Sequence, residues 1–296
     1  MSPEIIVQDT VIAARDGPAL AATIFAPAAP PRHAVLIGSA TAVPRRIYRG
    51  FAHHLATRGA TVTTFDYRGT GGSRPAALKG FPARMRDWAA LDLSGAIDHM
   101  RTVWPSLPLR YVGHSHGGQA LGLAPNNQEV SRALLVTAQS GYWRHCRGLE
   151  KYRVWALFNL LSPPLQRLCG YLPGSRLGLG EDLSNGVFDE WRRWCMSENF
   201  FFDDPTLEAT ANFPRYAGSL KAIGIDDDPW ATPPAIDALA ARFTGTRPER
   251  QQIDPEQAGA PSIGHLGFFR PQRREPLWDA AADWLLEEKE TTATIS

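Results

Sequence analysis

Leu109-Arg110-Tyr111-Val112-Gly113-His114-Ser115-His116-Gly117-Gly118-Gln119-Ala120-Leu121-Gly122-Leu123 is the stretch that decides the fold. It runs from a short apolar, strand-like segment through G-x-S-x-G into a helix-like segment, the pattern of a nucleophile elbow. The spacing has a steric cause. A serine on a very sharp strand-to-helix turn takes a strained backbone conformation. The residues two before and two after it are then drawn so close that side chains would clash. The turn lifts the hydroxyl clear of the sheet and aims the following N–H groups at the same point. A lone G-x-S-x-G arises by chance, so its meaning rests on what surrounds it.

Upstream, residues 5–14 and 19–25 read as a hairpin with Asp16-Gly17 at its turn. Residues 34–38 form a continuous apolar run, as in a strand covered on both faces. A helix is expected over 45–58, closed by Gly59, followed by a β-branched strand at 61–65 and the turn Asp66-Tyr67-Arg68-Gly69. A helix over 88–104, capped by Asp87, precedes the elbow strand, and another strand follows at 133–137. This alternation predicts an α/β fold: a mostly parallel sheet with helices on both faces.

From 139 to 215 the alternation stops. This aromatic stretch is broken by Pro163-Pro164, Pro173-Gly174 and Gly178-Leu179-Gly180, and it reads as an α-helical cap inserted into a core of residues 1–138 and 216–296. The sheet resumes with a strand at 220–225, a helix at 234–244 and a more polar strand at 249–253. A last helix follows at 277–288, with a disordered tail after it.

Acyl transfer needs a nucleophile, a base, a group that holds the base, and donors for the oxyanion. Ser115 supplies the first. His265, in a glycine-flanked loop after the last strand, fits the second. Asp226, Asp227 and Asp228 stand just past a strand, where the third is needed. Three adjacent acids repel one another, so at most one of them is expected to be buried.

The order Ser…Asp…His over nearly the whole chain resembles the α/β-hydrolase superfamily, in its esterase/lipase/aminopeptidase-like branch. More narrowly, it is similar to a group of bacterial α/β hydrolases. These share an Asp-Tyr-Arg-Gly turn, a Gly-His-Ser-x-Gly-Gly-Gln elbow, a Gly-Tyr-Trp cap start, an Asp-Asp-Asp-Pro-Trp loop and an Ile-Gly-His-x-Gly-Phe-Phe-Arg loop. All five are present here, at residues 66–69, 113–119, 141–143, 226–230 and 263–270. The resemblance implies an eight-stranded α/β-hydrolase sheet and a serine hydrolase acting on an ester or thioester of a moderately apolar small molecule or lipid. It implies a triad of Ser115, Asp228 and His265, with Asp227 as the alternative acid. It implies oxyanion donors at His116 and at Ala40, then Ser39, although relatives carry His-Gly where this chain has Ile37-Gly38. Trp143 and Trp230 are expected to contact substrate. An acyltransferase on the same triad, or a ligand-binding protein without catalysis, is the alternative function.

The other histidines have plainer readings. His114 is expected to pack under the elbow, and His53 and His54 to lie on the surface. His145 could line a pocket. No histidine pair has metal-ligand spacing, so neither metal nor other cofactor is expected. Thirty-one basic and thirty acidic residues leave a formal charge of +1, which gives no bulk reason to bind nucleic acid or an anionic membrane. Gly69-Thr70-Gly71-Gly72 lacks the Lys-Ser/Thr of a phosphate loop. No run is long enough for a membrane span, no secretory signal is visible, and three cysteines without ligand spacing read as reduced thiols. These point to a cytoplasmic protein with a small-molecule substrate. Oligomeric state is not written in the sequence.

Overall fold

A computed structural model describes residues 3–273 and 277–288. Eight strands form one sheet: β1 (Ile5–Ala13), β2 (Ala19–Pro27), β3 (His33–Gly38), β4 (Ala60–Phe65), β5 (Leu109–His114), β6 (Arg132–Val136), β7 (Ser219–Ile225) and β8 (Glu249–Ile253). Their order across the sheet is β1-β2-β4-β3-β5-β6-β7-β8. The β1–β2 hairpin is antiparallel, and β2 joins β4 antiparallel; from β4 to β8 every neighbouring pair is parallel. Every residue of β3, β4, β5 and β6 is buried, which is why residues 34–38 of β3 read as an unbroken apolar run and β4 as a β-branched one. The edge strand β8 exposes four of its five residues, which accounts for its polar sequence.

Successive side chains alternate between two cores. Leu36 and Tyr111 point to one face, Val35, Ile37 and Val112 to the other. Helix α1 (Arg49–Thr57) and the C-terminal helix cover the second face through Phe51, Leu55, Trp278 and Leu285. The first face is covered by the segment from α2 (Met85–Asp87) through a π-helical turn at Trp88–Leu93 into α3 (Ser94–Val103), and by α4 (His116–Leu123).

Two local expectations are corrected. The helix before β5 starts at Met85, so Asp87 lies inside its first turn and reaches back to the Arg84 N–H at 2.8 Å. His54 is buried, not on the surface, because its side of α1 packs against Phe51 and Trp278.

Between β6 and β7 lie α5 (Glu150–Ala156), a π turn at Leu157–Leu161, α6 (Ser162–Cys169), α7 (Asn185–Cys195) and four 3-10 segments, Trp143–His145, Gly174–Arg176, Phe200–Asp203 and Glu208–Arg215. After β7 come α8 (Pro233–Ala240) and, following β8, α9 (Asp279–Leu286). The expected tail beyond residue 288 lies outside the described residues. All three cysteines are free thiols. Among the described residues no helix is long and apolar enough to cross a membrane.

Candidate active site

Strand β5 runs straight into Ser115, whose φ of 50° and ψ of −111° lie where L-residues are strained. The surroundings hold it there. Its N–H still donates to Val136 O on β6 at 2.9 Å, and its carbonyl accepts from Gly118 N at 3.0 Å, inside α4. The two flanking glycines are a steric requirement. A Cβ on Gly113 would lie 2.7 Å from Gly118 N, and one on Gly117 would collide with Gly38 O. Ser115 itself is 7% exposed. It opens on a cavity of about 430 Å³ that His265 also lines.

Of the three adjacent acids, Asp228 alone is fully buried. Its Oδ2 meets His265 Nδ1 at 2.6 Å, while Oδ1 accepts from the N–H groups of Trp230 (2.8 Å) and Ala231 (3.1 Å). Burial would raise its pKa, but the charge and hydrogen bond of His265 and the two amides leave it below the usual carboxylate value. Asp227 has a different task. Its carboxylate accepts from Ser262 Oγ (2.7 Å), Ile263 N (2.9 Å) and Gly264 N (2.7 Å), and so docks the loop that carries His265. The sequence suggests Asp227 as the alternative partner of the imidazole, or as part of a solvated turn or a helix cap, not as the dock of this loop. Gly264, at a φ of 61°, lets the loop turn sharply enough to present its amide to that carboxylate.

His114 packs under the elbow, fully buried. Its Nε2 donates to His265 O at 2.9 Å, so its Nδ1 is unprotonated and accepts from Tyr48 Oη at 2.8 Å. Burial lowers its pKa to about 3, in keeping with a neutral ring. Tyr48 Oη in turn accepts from Ala40 N at 2.9 Å. That bond corrects the expectation for Ala40. The residue lines the cavity, but its N–H is already taken by the tyrosine hydroxyl. Ser39 is buried with its backbone beside the elbow: a Cβ on Gly117 would lie 3.2 Å from Ser39 O. His116 supplies the first amide of α4, and its ring does not line the cavity. The ring packs edge-to-face against the stacked Tyr67 and Trp88 and bonds Gln119 at 3.2 Å, and burial pushes its pKa down to about 4.

Trp230 lines the cavity, and its Nε1 donates to Glu150 Oε1 at 2.6 Å. Trp143 does not line it; its neighbour Tyr142 does, while the Trp143 ring lies against Tyr152 and under the Arg144 guanidinium. His145 is likewise absent from the lining. The rest of the wall is mostly apolar: Val154, Phe158, Leu179 and Trp191, with the thiols of Cys146 and Cys195. Burial pushes the Cys146 thiol up to about 12, which makes it a poor nucleophile.

The Asp-Tyr-Arg-Gly turn is structural. Asp66 accepts from Arg45 N (2.6 Å) and Gly72 N (2.8 Å), so a carboxylate already fills the place a phosphate would take. Arg68 is clamped between Asp92 and Asp16. The next amide, Gly71 N, donates to Glu181 Oε2 at 2.6 Å, and Glu181 N donates to Ala42 O at 2.8 Å. These bonds tie the segment after α6 to the two turns beyond β3 and β4.

The sheet order and the elbow between β5 and α4 make the chain an α/β hydrolase by fold. Residues 29–167 match the family model described as Hydrolase_4, serine aminopeptidase, S33. No curated protein matches the chain. Among solved structures, an esterase from Exiguobacterium antarcticum is similar at 16% identity and a TM-score of 0.62, covering 95% of this chain and 100% of its own. A soluble variant of monoglyceride lipase from Saccharomyces cerevisiae, in complex with a substrate analogue, aligns at 14% identity and a TM-score of 0.64 over 96% and 95% of the two chains. A carboxyl esterase from Bacillus coagulans aligns at 14% and 0.59 over 96% and 99%.

Proposed function

We propose that the protein is a serine hydrolase that cleaves an ester or thioester of a moderately apolar small molecule through an acyl-enzyme on Ser115. The observation that carries this reading is the 2.6 Å bond from buried Asp228 to His265, at a cavity that the strained Ser115 also lines. Asp228 occupies Nδ1, which leaves Nε2 of His265 as the base. Nε2 takes the Ser115 proton as Oγ bonds to the substrate carbonyl. The oxyanion rests on the N–H of His116 and, since Tyr48 holds the Ala40 N–H, on that of Ser39. His265 then returns the proton to the leaving alcohol or thiol, and water, deprotonated by the same ring, releases the acid. Asp228 stays ionised throughout, its charge supported by two amides.

Helices within residues 139–215 act as a cap, since Val154, Phe158 and Trp191 furnish the apolar wall. The volume suits a small-molecule ligand. Among the described residues the lining holds no Asp or Glu to form an ion pair with a free ammonium group, and this favours esters over aminopeptidase substrates. The test is labelling by a fluorophosphonate probe, together with hydrolysis of p-nitrophenyl esters of graded acyl length. Wild type should label and turn over esters, and Ser115→Ala should do neither. Absence of labelling in wild type, equal labelling of the variant, or a preference for leucine p-nitroanilide would overturn the proposal.

A further inference from the structure

The helical run from Glu150 to Cys169 has two faces with opposite character. Val154, Leu157, Phe158 and Ser162 are buried, and Val154 and Phe158 wall the cavity. On the other side Leu149, Tyr152, Trp155, Leu160, Leu161 and Leu168 face solvent; Leu149 and Leu168 are each 83% exposed, and Tyr152, Leu160 and Leu161 more than half. The π turn at Leu157–Leu161 matters here. Its wider winding carries Leu160 and Leu161 onto the side of Tyr152 and Trp155, which an unbroken α-helical phase would not do. Half of the exposed large apolar side chains of the described residues, six of twelve, thus gather on one strip.

The charge within the segment that carries this strip is mainly positive. Between residues 139 and 170 the sequence holds five basic residues and a single acid, Glu150. Arg153 neutralises that acid with two hydrogen bonds, of 2.7 and 2.6 Å. Arg144, Arg147 and Arg167 are exposed, and the Lys151 ammonium sits 5.2 Å from the centre of the Tyr152 ring. Exposed leucines with a tryptophan and a tyrosine, flanked by uncompensated cations, are the composition of a helix lying in a lipid headgroup layer. A surface meant for a neutral protein partner has no use for the cations.

We infer that the outer face of the 150–169 helix docks on an anionic lipid surface, with its leucines in the acyl boundary and its arginines among the headgroups. The contact is peripheral and independent of the chemistry at Ser115.

The experiment uses full-length Ser115→Ala protein and sedimentation with vesicles, either of pure phosphatidylcholine or with one third phosphatidylglycerol. Binding to the anionic vesicles should exceed binding to the neutral ones at least tenfold and weaken with added salt. A Leu160→Asp/Leu161→Asp variant should lose binding tenfold or more with an unchanged melting temperature. In the Ser115 background, the same pair should leave turnover of a short, freely dissolved ester unchanged. Arg144→Glu/Arg167→Glu should abolish the preference for anionic vesicles. No binding by Ser115→Ala, or equal binding by the leucine variant, overturns the proposal. So does a dimer at assay concentration that the leucine variant dissociates, since a second copy of the chain would then cover the strip.

Discussion

His114 Nε2 donates a hydrogen bond to the carbonyl oxygen of His265, 2.9 Å away. The histidine one place before the elbow serine thus supports the backbone of the histidine 151 residues further on. Through Tyr48 the same ring is joined to Ala40, so three loops meet at one buried imidazole. Tyr48→Phe keeps the ring and removes the hydroxyl, leaving the Ala40 N–H and His114 Nδ1 without their partner. The expected loss is about 1–3 kcal/mol for each buried group left unpaired. Urea unfolding of the variant measures it, and an unchanged midpoint would disprove the relay.

The two adjacent aspartates should respond differently to the same chemical change. Asp228→Asn removes the charge facing His265 and should lower kcat by about 10³-fold or more, the fold being kept. Asp227→Asn weakens the dock of the histidine loop. It should cost roughly 1–3 kcal/mol of stability and reduce kcat by about tenfold. Steady-state kinetics and melting curves on both variants decide the matter. If Asp227→Asn proves the more damaging to kcat, the roles argued above are exchanged.

Acid should destabilise the protein well above the carboxylate range. An unfolded histidine takes up a proton below about pH 6.5. Burial makes native His114 and His116 refuse it until about 3 and about 4. Between these limits the unfolded chain binds more protons, so stability falls as the pH drops. The slope is roughly 1.4 kcal/mol per pH unit for each ring, from about pH 6.5 down to about 4. Asp228, with its lowered pKa, adds a loss that begins only below about pH 4. Unfolding free energies at pH 7.5, 6.5, 5.5 and 4.5 should trace this fall, lessened below about pH 6 by Asp92, whose pKa burial raises to about 6, and His116→Gln should make it shallower by roughly 1.4 kcal/mol per pH unit. A flat profile would refute the account.

The strain at Ser115 can be measured directly. Glycine relaxes at a φ of 50° and alanine does not. Ser115→Gly should therefore be more stable than Ser115→Ala by about 1 kcal/mol, with both inactive toward the fluorophosphonate probe. Gly117→Ala should fail to accumulate as folded protein, since Gly38 O occupies the space its methyl would need. Equal stabilities for the first pair, or a well-folded Gly117→Ala, would remove the steric argument.

Much of this arrangement is legible in the sequence because it depends on local rules. Buried parallel strands show as apolar runs, and the elbow shows as two glycines two residues either side of a serine. That at most one of three neighbouring acids is buried follows from the cost of burying charge, while the choice of Asp228 among them rests on the resemblance to α/β hydrolases. What escapes the sequence depends on distant contacts. Nothing near Ala40 announces that Tyr48 will take its N–H, and nothing in α1 announces that Trp278 will cover His54. Tyr142 and Trp143 are both aromatic and adjacent; which one faces the cavity is set by the neighbours Tyr152 and Arg144. The π turn at Leu157–Leu161 likewise has no local signal, although it decides which leucines meet solvent.

The loop bearing His265 is fastened by the side chains of Asp227, Asp228 and His114 and not by a strand ladder. Its attachment point begins at Ser262, and the exposed residues Glu256 and Gln257 lie outside it. Additional chain introduced between those two residues would leave every bond to Asp227 and Asp228 at the same place. The protein therefore has a grafting point within ten residues of its functional centre: a fluorophore-bearing peptide placed there would sit beside the site without altering how the histidine loop is docked.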